Sequence, residues 1–140
     1  IGSPLSPQGE RKSMKRSLFL TLVAILGFLF GGMLFLAPAK AVEGFGVASS
    51  PESILFFRIM GSMILAAGLL NLLVRKEGDS NALKAVLIFN IVGHGLTMIA
   101  DIGGVASGTL QFSKIAVGQV NHLFIGIGSL VYLMKMKKMG

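Results

Sequence analysis

The sequence predicts an all-α membrane protein, an antiparallel four-helix transmembrane bundle with both termini on the cytoplasmic side, or on the equivalent stromal or matrix side. Hydrophobic residues make up 53% of the 140 residues and charged residues only 14%, whereas soluble domains have about 25% charged residues. Four apolar runs each approach or exceed the roughly 20 residues that a helix needs to cross a bilayer. Most basic residues flank these runs at one side, which is the usual topology signal.

Composition and motifs also exclude several functions. The net charge of +7 would suit nucleic acid, but the basic residues flank apolar runs and form no separate patch, so no nucleic-acid partner is predicted. The absence of cysteine excludes disulfides and thiol catalysis. Because the sequence has no Walker loop, no zinc-site spacing, no acid pair and no defensible Ser-His-Asp arrangement, it predicts no enzyme.

The first helix is predicted at residues 17–37 and ends before Pro38, which cannot continue it. Residues 1–16 are predicted to be a flexible tail, since most of this segment is rich in Ser, Pro and Gly. Residues 1–13 precede Met14 and are either an added segment or the remainder of a processed targeting peptide. Gly27-x-x-x-Gly31, beside Gly32, would permit close helix packing.

The other three helices follow from similar signals. Residues 38–52 have no long apolar run and should form an exposed connection. Ser50 and Pro51 are typical of a helix start, so the second helix is predicted at residues 52–74. A short polar turn makes it an antiparallel neighbour of the third helix, at 82–104. The fourth helix is predicted at 112–134, before a basic tail at 135–140.

The positive charges predict the orientation of the bundle. Ten of the thirteen Lys and Arg residues lie in the two tails, in the turn after the second helix or at the start of the third. The positive-inside rule therefore places both termini in the cytoplasm, stroma or matrix. The membrane is then a bacterial inner membrane or an organelle membrane, such as the thylakoid or the mitochondrial inner membrane.

The third helix carries a polar stripe, which we define as Asn90, His94, Thr97 and Asp101. Steps of four, three and four residues place all four on one face of a helix. Such a face is costly against lipid and should meet other helices or a small wet cavity. Gln119, Asn121 and His122 are further polar candidates on the fourth helix.

The two histidines permit three interpretations. By the helical rise, His94 lies about 18 Å from the inner boundary and His122 about 15 Å from the outer one, so both lie near mid-membrane. They could form hydrogen bonds between helices, or belong to a proton or ligand pathway. Because glycines flank His94, either histidine or both could also be axial ligands of a tetrapyrrole, haem or chlorophyll.

Arg58 and Asp101 are predicted to pair near the outer ends of the second and third helices. Each is the only full charge in the apolar body of its helix, and their estimated depths agree. A buried charge without a partner is costly, so pairing would stabilise both. A role in binding a polar or anionic group at the outer opening is the alternative.

The layout resembles small four-helix membrane families of the DoxX-like type over most of residues 15–134. The resembling residues are Leu34-Phe35-Leu36-Ala37-Pro38 at the exit of the first helix, Arg58-x-x-Gly61 and Gly68. The resemblance implies the fold far more than a function. A few such families are linked to quinone or thiosulfate oxidation as partner subunits, but no residue here carries that chemistry.

The predicted function is that of a small, non-enzymatic accessory or scaffold subunit. It would pack against membrane lipids and other membrane protein subunits, or against further copies of itself. The small size, short loops and glycine-rich helix faces favour this function. The alternatives are a transporter or ligand binder that uses the polar stripe, and a tetrapyrrole-binding subunit.

Overall fold

The computed structural model describes the backbone of residues 7–136 and the side chains of residues 16–136. It is all-α, with helices α1 (Pro7–Leu36), α2 (Pro38–Gly44), α3 (Pro51–Val74), α4 (Asn81–Ala106) and α5 (Phe112–Lys135). Four candidate spans of 21 to 26 residues, within α1, α3, α4 and α5, are long and apolar enough to cross a membrane. The predicted all-α class and the four long helices are therefore confirmed.

Local capping explains where α3 and α4 begin. The Ser50 hydroxyl accepts a hydrogen bond from the Ser53 N–H at 3.1 Å, and the Ser53 hydroxyl accepts one from the Ser50 N–H at 2.9 Å. Ser80 caps α4 through the Leu83 N–H. These reciprocal and single caps satisfy N–H groups that a helix start leaves free. The helix start predicted at Ser50 and Pro51 is confirmed, with Ser50 as the N-cap.

Helices α1 and α3 form a close pair through facing glycines. A Cβ atom added at Gly31 would lie 2.8 Å from the Leu65 backbone nitrogen, and one added at Gly61 would lie 2.6 Å from the Phe35 nitrogen. At Gly27 the added Cβ would lie 2.9 Å from the Gly68 Cα. The close packing predicted from Gly27 and Gly31 is confirmed, because only residues without a side chain permit this approach.

Helices α4 and α5 form the second pair, and the two pairs meet at one end of the bundle. We call this end, which contains the 75–80 turn, the turn end, and the opposite end the open end. A buried cluster joins all four long helices at the turn end; its members are Phe19, Leu20, Val23, Val74, Leu83, Val86, Leu87 and Ile125. Arg16 adds an ion pair with Asp79 at 2.6 Å and donates to the Glu77 carbonyl oxygen at 2.9 Å.

The segment predicted to be an exposed connection contains a short helix instead. In α2, Val42 is fully buried and Ala41 is nearly so, and both pack in a cluster with Leu34 and Phe57. Pro38 begins α2 at the position where proline suits a helix. The prediction was wrong because it relied on the absence of a long apolar run, whereas two buried apolar residues suffice to dock this helix of seven residues.

The start of α1 also differs from the prediction. The backbone is helical from Pro7, so helix rather than a flexible tail occupies residues 7–16. This segment contains Glu, Arg, Lys and Met, which are good helix formers, and a helix propagates into such residues more easily than it nucleates. Residues 1–6 of the predicted tail and residues 137–140 of the basic tail lie outside the described part.

Candidate functional site

A cavity of about 410 Å³ lies between the α1/α3 pair and the α4/α5 pair. It begins where the buried cluster of the turn end stops and extends toward the open end. Side chains from all four long helices line it, and most are apolar. Its volume lies within the range of roughly 300–1,000 Å³ that is common for small-molecule sites.

The polar stripe faces this cavity. Asn90, His94, Thr97 and Asp101 all line it, which confirms the face predicted from their spacing. The Thr97 hydroxyl donates to the Gly93 carbonyl oxygen at 2.9 Å within its own helix. The other three side chains interact with α3 or α5, so the stripe connects α4 to both neighbours.

His94 and His122 contact each other directly across α4 and α5. Their Nδ1 atoms lie 2.7 Å apart and their ring centroids 5.0 Å apart. A hydrogen bond at this distance requires that one Nδ1 carry a proton and the other accept it. The similar depth predicted for the two histidines is therefore confirmed.

The outer nitrogens of the two rings make no hydrogen bond to any described residue and are not buried. In the described part of the chain, neither Nε2 atom has a hydrogen-bond partner, and no side-chain nitrogen or oxygen is both buried and without a partner. Both Nε2 atoms are therefore accessible, and the two rings line the cavity. In a neutral pair, one Nε2 donates and the other accepts.

This contact does not fit ligation of a single tetrapyrrole metal by both histidines. Two axial ligands lie on opposite faces of the macrocycle, with the metal between their nitrogens. Here the two rings are hydrogen-bonded to each other and leave no gap for a macrocycle. The direct contact agrees with the first of the three interpretations, hydrogen bonding between helices.

Asp101 does not pair with Arg58, so that prediction was wrong. The Gln119 side-chain amide donates to the Asp101 carboxylate, whereas Arg58 is exposed on α3 and does not line the cavity. Among the described residues, the ion pair is Arg16 with Asp79 and none involves Asp101. The helical rise matched the depths of Arg58 and Asp101, but it does not determine which way each side chain points around its helix.

A buried polar network closes the cavity toward the turn end. Asn90 donates to the Asn71 side-chain oxygen at 2.8 Å and to the Ser129 hydroxyl at 3.2 Å, and Asn71 donates back to Asn90 at 3.2 Å. All three residues are at most 2% exposed. Sequence reasoning missed Asn71 and Ser129, although a single asparagine among the leucines of α3 was a usable signal.

The remaining candidates divide between the cavity and its support. Asn121 and His122 line the cavity. Gln119 does not line it but holds the Asp101 carboxylate. The eight candidate residues therefore separate into six that line the cavity, one that supports it and Arg58, which faces away.

The cavity opens sideways between α3 and α4. Three residues that line the cavity on this side are exposed: Met63 to 69%, Ile59 to 54% and Phe89 to 51%. On the side of α1 and α5, the lining residues Leu34, Ile115 and Ile125 are at most 3% exposed. If the four long helices span a membrane, this lateral opening faces the lipid tails.

Fold and site together define an all-α protein with four helices that could cross a membrane and a cavity between its two helix pairs. No protein-family model, curated protein or solved structure matches this chain. The resemblance to DoxX-like families stays a prediction.

Proposed function

We propose that the protein binds a small lipid-soluble molecule in the cavity between the two helix pairs. The observation that carries this proposal is an apolar cavity that is lined by the hydrogen-bonded pair His94 and His122. Apolar cavities with a few convergent polar groups are the usual form of small-molecule sites. This function belongs to the ligand-binding class, and no chemical reaction is proposed.

The polar and apolar linings suit an amphipathic ligand. Apolar side chains of α1 and α3 would cover its body, while the stripe on α4 would meet its polar groups. The accessible Nε2 atoms would offer one donor and one acceptor when both rings are neutral. A molecule dissolved in the lipid tails could enter between α3 and α4 without crossing a polar loop.

The proposed orientation places the turn end in the cytoplasm, stroma or matrix. Ten of the thirteen basic residues belong to this end or to the tails next to it, as the positive-inside rule requires. The chain has no cysteine, so Gly78→Cys in the turn is a unique label. We expect a membrane-impermeant maleimide to label it only after permeabilisation, and labelling of intact cells would contradict the orientation.

Two glycines beside His94 provide a matched test of binding. Gly93 lines the cavity whereas Gly95 does not, and an added Cβ at either would have no atom within 4 Å. Gly93→Leu should therefore fill part of the cavity, while Gly95→Leu should leave it empty. Three probes of similar shape would be used: tetraphenylphosphonium, triphenylphosphine oxide and tetraphenylborate.

Thermal unfolding in mild detergent, followed by circular dichroism, is the measurement. A probe that binds the folded protein stabilises it by about 2.7 kcal/mol at 100 times its Kd. We expect at least one probe to raise the Tm of the wild type and of Gly95→Leu, and to raise that of Gly93→Leu much less. Equal responses of all three proteins, or no response to any probe, would contradict binding in the cavity.

Arg58 favours a second candidate function, that of an accessory subunit. Its charged side chain is exposed on the apolar helix α3, about 10 Å along the axis from the start of that helix. Such a charge within a span is costly unless it reaches a headgroup or an acidic partner. A complex seen on native gels in mild detergent and lost in Arg58→Leu would support this function; a wild-type monomer would contradict it.

A further inference from the structure

We infer that the ligand is an organic cation and that the Asp101 carboxylate is its counter-ion. This inference rests on the proposed binding function and adds the charge of the ligand. It starts from one feature of the site: within the described part of the chain, a carboxylate group lines the cavity and no lysine or arginine does.

The charges around the cavity are unbalanced. Among the described residues, Asp101 is the only acidic residue that lines the cavity, and no lysine or arginine lines it. The nearby Gln119 amide donates a hydrogen bond to the carboxylate but supplies no positive charge. A carboxylate next to an apolar space is costly without a cation, and a bound cation would offset this cost.

The apolar lining also suits a cation with a large apolar body. Phe30, Phe45 and Phe89 line the cavity, and aromatic faces attract organic cations. Met60 and Met63 line its opening, and methionine adapts to ligands of different shape. An anionic ligand would meet repulsion from Asp101 and find no basic residue in exchange.

The spacing along α4 indicates the length of the ligand. Asp101 follows His94 by seven residues, which is about 10 Å along the helix axis. A ligand with its charged centre near Asp101 would therefore place a second polar group, about 10 Å away, at the free nitrogens of the histidine pair. The charged centre would lie toward the open end and the rest of the molecule toward mid-membrane.

The test compares two probes of nearly the same shape and opposite charge. Equilibrium dialysis of the purified full chain in mild detergent measures the Kd of tetraphenylphosphonium and of tetraphenylborate, each corrected for uptake by empty micelles. Asp101→Asn removes the charge while keeping an oxygen that can accept from Gln119. Glu43→Gln is the matched control, because it removes one negative charge from an exposed position outside the cavity.

We expect the wild type to bind the phosphonium about tenfold or more tightly than the borate, and Asp101→Asn to lose this preference. Glu43→Gln should keep it, and Asp101→Glu should keep most of it. Should Asp101→Asn fail to fold, the comparison of the two probes on the wild type still decides the question.

Equal binding of both probes, or tighter binding of the borate, would overturn the charge inference but would not contradict the proposed function. Binding of neither probe would overturn the inference, and binding of triphenylphosphine oxide that Gly93→Leu reduces would still support the proposed function.

Discussion

Replacing Gly31 with alanine should separate helices α1 and α3. The added Cβ would lie 2.8 Å from the Leu65 backbone nitrogen and 2.9 Å from the Gly61 carbonyl oxygen. Because both are backbone atoms, no side-chain rotation can relieve the contacts. To reach the ordinary contact distance of 3.4 Å, the two helices would have to move apart by about 0.6 Å at this level.

Gly32→Ala is the control that isolates this effect. Gly32 is the next residue on the same helix, and its added Cβ would have no atom within 4 Å. Both substitutions gain up to about 1 kcal/mol of helix propensity, which cancels in the comparison. Overpacking of a close contact costs about 1–3 kcal/mol, so Gly31→Ala should be less stable than Gly32→Ala by about this amount.

The difference can be measured as the free energy of unfolding in mixed micelles of mild detergent and dodecyl sulfate, followed by circular dichroism. The two variants share detergent, chain length and substitution, so the comparison depends on the helix contact alone. Equal unfolding free energies for Gly31→Ala and Gly32→Ala would refute the argument that these facing glycines hold α1 against α3.

The remaining predictions concern the buried network, a ring contact and the exposed arginine. Asn71→Leu and Asn90→Leu should each lower the free energy of unfolding by about 1–3 kcal/mol, because each leaves the other amide without its partner. The double variant should lose less than the sum of the two losses, and additive losses in a double-mutant cycle would contradict the pairing. Gly128→Ala should lower the Tm because its Cβ would overlap the Phe19 ring. Combining it with Phe19→Leu should recover part of the lost Tm, and no recovery would show that the overlap with Phe19 does not cause the loss. Arg58→Leu should change the unfolding free energy of the detergent-solubilised monomer by less than about 0.5 kcal/mol, since Arg58 is exposed and has no ion pair with Asp101. A loss of several kcal/mol would indicate that Arg58 and Asp101 do pair.

Regular periodicities were sufficient to predict the helices and the face that contains the site. The apolar runs have the length of a bilayer, and the spacing of Asn90, His94, Thr97 and Asp101 places them on one side of any α-helix. Depth was equally accessible, because the rise per residue is fixed. Depth placed His94 and His122 at the same level of α4 and α5, but their contact also requires that both rings face each other around the helix axes.

Rotation about the helix axis could not be predicted in the same way. Arg58 and Asp101 match in depth, but the glycine face of α3 packs against α1 and leaves Arg58 exposed. Which face of α3 would meet which neighbour depends on the packing of all four helices. The role of Asn71 and the docking of α2 were missed for the same reason, since both depend on contacts between segments distant in sequence.

Competitive photolabelling tests most directly whether the cavity between the helix pairs binds a lipid-soluble molecule. A triphenylphosphonium that carries a diazirine would be irradiated with the protein in bilayer nanodiscs, and the labelled residues would be mapped by peptide mass spectrometry. We expect excess tetraphenylphosphonium to suppress labelling of Met63 and His94, which line the cavity, but not of Leu18 and Val117, which are exposed outside it. Uniform labelling that the competitor leaves unchanged at all four positions, both with this probe and with a neutral triphenylphosphine oxide that carries a diazirine, would contradict a binding site in the cavity.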